Sequence, residues 1–169
     1  TQIDEIFNRV AEDFRPFNVN ITTDSTKFLS APLNKRMRII VTDSSSWYGS
    51  AAGVAYVGSF SWGDDTPGFV FSKLLGFVPK KVAEACSHEA GHTLGLQHQA
   101  TYNTTCGITA TYNPGAGTGE TSWAPIMGVA YSRNITSWYN GPNPYGCDQM
   151  QDELSIITNG ANGFGFRTD

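Results

Sequence analysis

The chain has 169 residues (18.3 kDa), 40% of them apolar, including ten Phe, seven Tyr and four Trp. That is enough to enclose one core and too much to remain disordered. Eleven basic against fifteen acidic residues leave −4 with no basic run, which argues against nucleic acid and anionic membrane as partners. No apolar stretch reaches the length of a bilayer span, and TQIDEIFNRV at the start lacks the charged-then-apolar pattern of an export signal.

In chain order, Ile3, Ile6, Phe7, Val10 and Phe14 recur at helical spacing, predicting a helix over 2–14 that Pro16 stops. NVNITT (18–23) and MRIIVT (37–42) read as strands, the second almost wholly apolar and so expected to be central. AAGVAYVGSF (51–60), with small residues at alternate positions, is expected as a third strand, and GFVFS (68–72) as a fourth after the turn-forming GDDTPG. Pro79 can open a helix through PKKVAEACSHEAGHTL, and Gly95 can close it. From Gln99 to Cys147 the chain is rich in Gly, Asn, Thr, Ser, Pro and Tyr with little periodicity. A last helix is expected at about 148–158, carrying Met150, Leu154 and Ile157 inward. One domain over 1–169 follows, with an α/β upper half (about 1–97) and an irregular lower half (about 98–169).

The chemistry concentrates in HEAGHTLGLQH, His88 to His98, which holds all three histidines of the chain. His88 and His92 are four apart, so on a helix both face one ion. Glu89 stands beside that face, outside the ligand set, where it can take a proton from a water. Gly95 allows the reversal that brings His98 round as third ligand. Three neutral imidazoles leave an open fourth position, the pattern of a catalytic Zn2+ site. At about 100° per residue, Val82, Cys86, Ala90 and Thr93 fall on a stripe turned away from His88 and His92, making Cys86 a buried apolar residue. The three cysteines allow one bridge and one free thiol, or three free thiols.

HExxHxxGxxH is the signature of the metzincin clan of zinc metallopeptidases, and the chain resembles a reprolysin-like, bacterial-type catalytic domain of that clan. The resemblance implies an α+β zincin fold: a twisted mixed sheet with an antiparallel edge strand, an active-site helix, an irregular lower half and a C-terminal helix. It implies that APIMG forms the methionine turn, with Met127 packing beneath the histidines; ordinary core packing is the alternative. It makes AAGVAYVGSF, around Ala55, Tyr56 and Val57, the edge strand beside an extended peptide substrate. Gly128, Val129 and Tyr131 then form the wall of the pocket beyond the scissile bond.

The implied activity is zinc endopeptidase, with Glu89 as general base. The alternatives are a catalytically weak zinc-containing peptide-binding module and a metallohydrolase of non-peptide amides. Where some clan families carry a tyrosine two residues after the methionine, this chain has Val129. Tyr131, at four, is either an oxyanion donor or wall packing. The loop 111–125 matches no family motif; its Gly, Asn and Glu120 suit a Ca2+ ion or a plain surface loop. Cys106 and Cys147 flank the irregular half and are expected to pair, leaving Cys86 free; such a closure contributes about 3–4 kcal/mol on a chain-entropy basis. An oxidised pair points to a secreted or extracytoplasmic protein, and a monomer is the expected state.

Overall fold

A computed structural model describes residues 1–168. Helix α1 (Gln2–Asp13) begins where the Thr1 hydroxyl accepts the Asp4 N–H, a capping bond that satisfies one of the orphan amides of the first turn. Helix α2 (Ser25–Ser30) starts at Asp24, whose carboxylate accepts from Thr26 and Lys27. Strands β1 (Ile39–Thr42), β2 (Gly53–Val54) and β3 (Gly68–Phe71) form a mixed sheet in the order β1-β3-β2. β1 runs parallel and β2 antiparallel to β3. The α+β architecture and the antiparallel edge strand agree with the expectation, but three strand expectations change.

First, NVNITT forms no strand. Phe17 makes a single bridge to Phe166, and the Asn18 N–H donates to Gly165, so this segment is tied to the chain's end rather than to a sheet. Second, β3 is central and MRIIVT is not; Val41 of β1 is 45% exposed. The apolar run in β1 is only partly enclosed, and run length alone does not tell a central strand from an edge. Third, only Gly53 and Val54 of 51–60 lie in the sheet. Gly58, at φ +78°, turns the chain, and its N–H donates to the carbonyl of His92 at 2.9 Å. The edge strand is thereby drawn onto the end of the next helix.

That helix, α3 (Pro79–Thr93), crosses behind the sheet with Pro79 in its first turn. Val82, Ala85 and Cys86 pack with Val70 and Leu75, while Ala90 and Leu94 pack with Phe14, Phe17, Ile126, Met127 and Ile157. The stripe expected to face inward therefore does so, and burial pushes the Cys86 thiol up to about 12. α1 is less enclosed than its apolar stripe implies. Ile6, Phe7 and Val10 are half-buried along a cavity of about 730 Å3 shared with Phe28, Ile39 and Cys86.

The lower half is made of two-stranded ladders: β4 (Thr101–Tyr102) with β5 (Ile108–Ala110), β6 (Trp123–Pro125) with β7 (Ile135–Ser137), and β8 (Asn140–Pro142) with β9 (Met150–Asp152). Cys106 and Cys147 are bridged with Cα atoms 5.4 Å apart, and Cys86 is free and buried. The closing helix α4 (Glu153–Ile157) is shorter than expected, because residues 150–152 belong to β9 and Asp152 caps the helix by accepting from Ser155. Of the three residues expected inward, Ile157 is buried, whereas Met150 (58%) and Leu154 (39%) are exposed.

Glu153 is fully buried, accepting the Tyr139 N–H at 2.8 Å, and burial pushes its carboxyl up to about 7. The folded state thus holds a proton that the unfolded chain releases near pH 4.5, so stability falls as pH rises from about 4.5 to about 7. Glu153→Gln is expected to raise stability at pH 8 by about 1–3 kcal/mol over the parent and to match it near pH 4.5. Urea unfolding at the two pH values measures this; an equal gain at both contradicts it.

Candidate metal centre

Leu94 ends α3, and Gly95 follows at φ +106°. The Gly95 N–H donates to His92 and the Leu96 N–H to Gly91, the paired bonds of a Schellman turn. This reversal returns the chain past the helix end. The ligand atoms of His88, His92 and His98 lie within 4.8 Å of one another, the only group of three or more His, Cys, Asp or Glu side chains so placed among the described residues.

The backbone orients two of the rings. His88 Nδ1 is 2.8 Å from the Ile126 carbonyl and His92 Nδ1 is 2.7 Å from the Leu96 carbonyl. A carbonyl only accepts, so each Nδ1 carries the proton and each Nε2 carries its lone pair toward the cluster. Burial lowers the pKa of all three rings, His88 to about 3 and His98 to about 4, which keeps them neutral. His92 Nε2 and His98 Nε2 approach to 3.0 Å. Neutral imidazoles with lone pairs converging on one point are what a divalent zinc ion requires, so the donor set fits that metal.

His98 is held through its neighbours. Gln97 donates its N–H to Gln151 Oε1 and accepts from Gln151 Nε2, both at 2.8 Å. The Gln99 N–H donates to Met127 at 2.8 Å, and the Asn113 N–H to Gln99 at 2.7 Å. Met127 is fully buried, at the turn that also supplies the Ile126 carbonyl to His88. A Cβ on Gly91 would stand 2.5 Å from Met127 Sδ, so α3 meets this turn through a glycine.

Glu89 is buried next to the triad, and burial pushes its carboxyl up to about 8. A dication held by the adjacent histidines acts in the opposite direction and favours the carboxylate. Its side chain lies under β2: a Cβ on Gly53 would stand 2.7 Å from Glu89 Cγ. The free edge of β2 is on the site's upper rim. Beyond it Ala55 is half-buried, while Tyr56 (64%) and Val57 (41%) are exposed. Gly128, next to Met127, is buried, and Val129 is half-buried with its N–H donating to Asn113. Tyr131 is half-buried against the Val70, Leu75 and Val82 cluster, and burial pushes its phenol up to about 12.

Four contributors escaped the sequence reading. Gly53 and Gly91 are places where a side chain would meet the site, and Gln151 clamps the His98 segment. The fourth is Tyr112, in the loop read as plain surface. Its ring lies 4.2 Å from that of His98 and stacks beside His88 at 6.3 Å. A glycine in a strand with small residues at alternate positions was a visible signal of close approach; Tyr112 and Gln151 gave none.

A neutral histidine triad converging on one point on a helix of an α+β domain fits a bound divalent metal. Residues 3–139 match the sequence profile of Metallo-peptidase family M12 (Reprolysin_5), and the chain belongs to that family. No curated protein matches the chain. The clan-level resemblance and the zincin-like α+β fold agree with this membership, which carries with it zinc and peptide or protein substrates.

Gly53→Ala is expected to push Glu89 out of place and lower the turnover of peptide hydrolysis by about 10–100-fold. Zinc content should stay at the parent value, since no ligand contacts Gly53. Parallel metal analysis and steady-state kinetics decide the point: unimpaired turnover shows that Glu89 tolerates the added methyl.

Proposed function

We propose that the chain is a zinc-dependent endopeptidase and that residues 1–169 act as one catalytic domain. His88, His92 and His98 hold the metal, and Glu89 is the general base. The observation that carries this reading is the geometry of α3 and its terminal turn: neutral imidazoles converge on one point with a carboxylate from the same helix beside them. A bound zinc ion supplies Lewis acidity there, acidifying a water and polarising the scissile carbonyl.

The chain's own residues do the rest. Glu89 accepts the water proton and returns it to the leaving amine. With all histidines committed to metal, no imidazole is left to activate a serine or cysteine nucleophile, and direct attack by water needs none. Met127 and the Ile126 carbonyl brace the triad from below, and Gly95 gives the turn that brings His98 into place. An extended substrate adds to the free edge of β2, near Ala55, Tyr56 and Val57, with Gly128 and Val129 walling the pocket beyond the scissile bond. The Cys106–Cys147 bridge supports an extracytoplasmic location, and no helix among the described residues is long and apolar enough to cross a membrane.

Metal analysis with a peptide-library digest, run with and without a chelator, tests the reading. One zinc per chain and chelator-sensitive internal cleavage are expected; a zinc-loaded chain that captures peptides uncut is a binding module instead. Glu89→Ala is expected to keep its zinc and lose about 10²–10⁴-fold in kcat/KM. Substantial turnover by the metal-replete variant removes Glu89 from the role of base.

A further inference from the structure

In the hydrolytic reading, a hydrogen-bond donor from outside the histidine motif can share with the metal the charge that forms on the carbonyl oxygen. When the water oxygen bonds to the carbonyl carbon, the C=O π pair moves onto the carbonyl oxygen, and Glu89 takes the water proton. Collapse of the tetrahedral species breaks the C–N bond, whose electron pair goes to nitrogen, which receives the proton from Glu89. A pre-placed donor adds to the metal's stabilisation of the transient oxyanion.

The donors of the metal-binding rings, the pocket-wall backbone and Lys80 are already engaged. His88 and His92 spend their Nδ1–H groups on the Ile126 and Leu96 carbonyls. On the pocket wall, Gly128 N–H donates to Pro125 and Val129 N–H to Asn113, both at 3.0 Å. Lys80 is taken by Glu84 and the Ala130 carbonyl. Tyr131 is the more enclosed of the two nearby phenols, half-buried against the Val70, Leu75 and Val82 cluster.

Tyr112 remains. It is 45% exposed, its ring lies on that of His98, and its plane is 25° from that of His88. Its placement is firm, because the adjacent Asn113 is buried and bonded on both sides, donating to Gln99 and accepting from Val129. We propose that Tyr112 is a further catalytic residue, whose phenolic O–H donates a hydrogen bond to the oxyanion formed on the scissile carbonyl oxygen. The proton stays on the phenol throughout. The proposal rests on the hydrolytic reading above and adds to it a residue from outside the motif.

Tyr112→Phe tests it, since the ring on His98 is kept and only the hydroxyl is lost. With the best peptide from the library digest, the zinc-loaded variant is expected to lose about 10²-fold in kcat. KM should stay within about twofold, with one zinc still bound. Affinity for a phosphinic peptide, which mimics the tetrahedral species, should fall by a similar factor. Parental kcat in Tyr112→Phe overturns the proposal. So does a loss that tracks loss of zinc, which makes Tyr112 a packing residue for His98. An inactive zinc-loaded parent is a different result and overturns the hydrolytic reading itself.

Discussion

The metal centre depends on one chain reversal. α3 delivers His88, Glu89 and His92, but a helix alone cannot offer a third imidazole to the same point. The Schellman turn at Leu94–Gly95–Leu96 supplies it. The carbonyls that this turn leaves at the helix end are put to use. Leu96 accepts from the His92 ring, and His92 accepts from both Gly95 and Gly58. The same few peptide units therefore end the helix, set a histidine tautomer and anchor the edge strand above the cleft. A residue with a Cβ at position 95 meets strain in the φ > 0 region, and that strain acts on all three functions together.

Around this turn, the two halves of the chain contribute differently. The upper half provides regular elements with apolar contacts: α1 and the sheet grip α3 through Phe14, Val70 and Val82. The lower half grips the site mainly by polar bonds from irregular backbone, through Ile126, Met127, Asn113 and Gln151. Buried polar networks hold direction more tightly than apolar packing does, provided that their members are paired. That suits the half that must aim a loop-borne histidine.

The motif helix, its stop at Gly95, the inward stripe with Cys86 and the Cys106–Cys147 pairing were all legible in the sequence, because each follows from local spacing or from simple needs of the chain. What was not legible depends on long-range partners. Whether MRIIVT or GFVFS lies at the centre of the sheet is decided by which edge β2 joins. NVNITT looks like a strand, but its one backbone–backbone bond among the described residues goes to the chain's end while Val19 and Ile21 pack on the core. Residues 150–152 are helix-compatible but are captured by β8, which exposes Met150. Tyr112 reaches the site from a loop and Gln151 from the short strand β9, segments without periodicity, so their roles follow from tertiary placement alone.

The single crosslink has a lopsided effect. It closes a span of 41 positions that contains Tyr112, Met127 and the pocket wall, while the sheet, α3 and the histidines lie outside it. One lip of the cleft is thus tethered covalently and the other is held only by packing. Thiol reagents would soften the floor and wall of the cleft before they disturbed its roof, so the pocket's selectivity should be more sensitive to redox conditions than its hold on the metal.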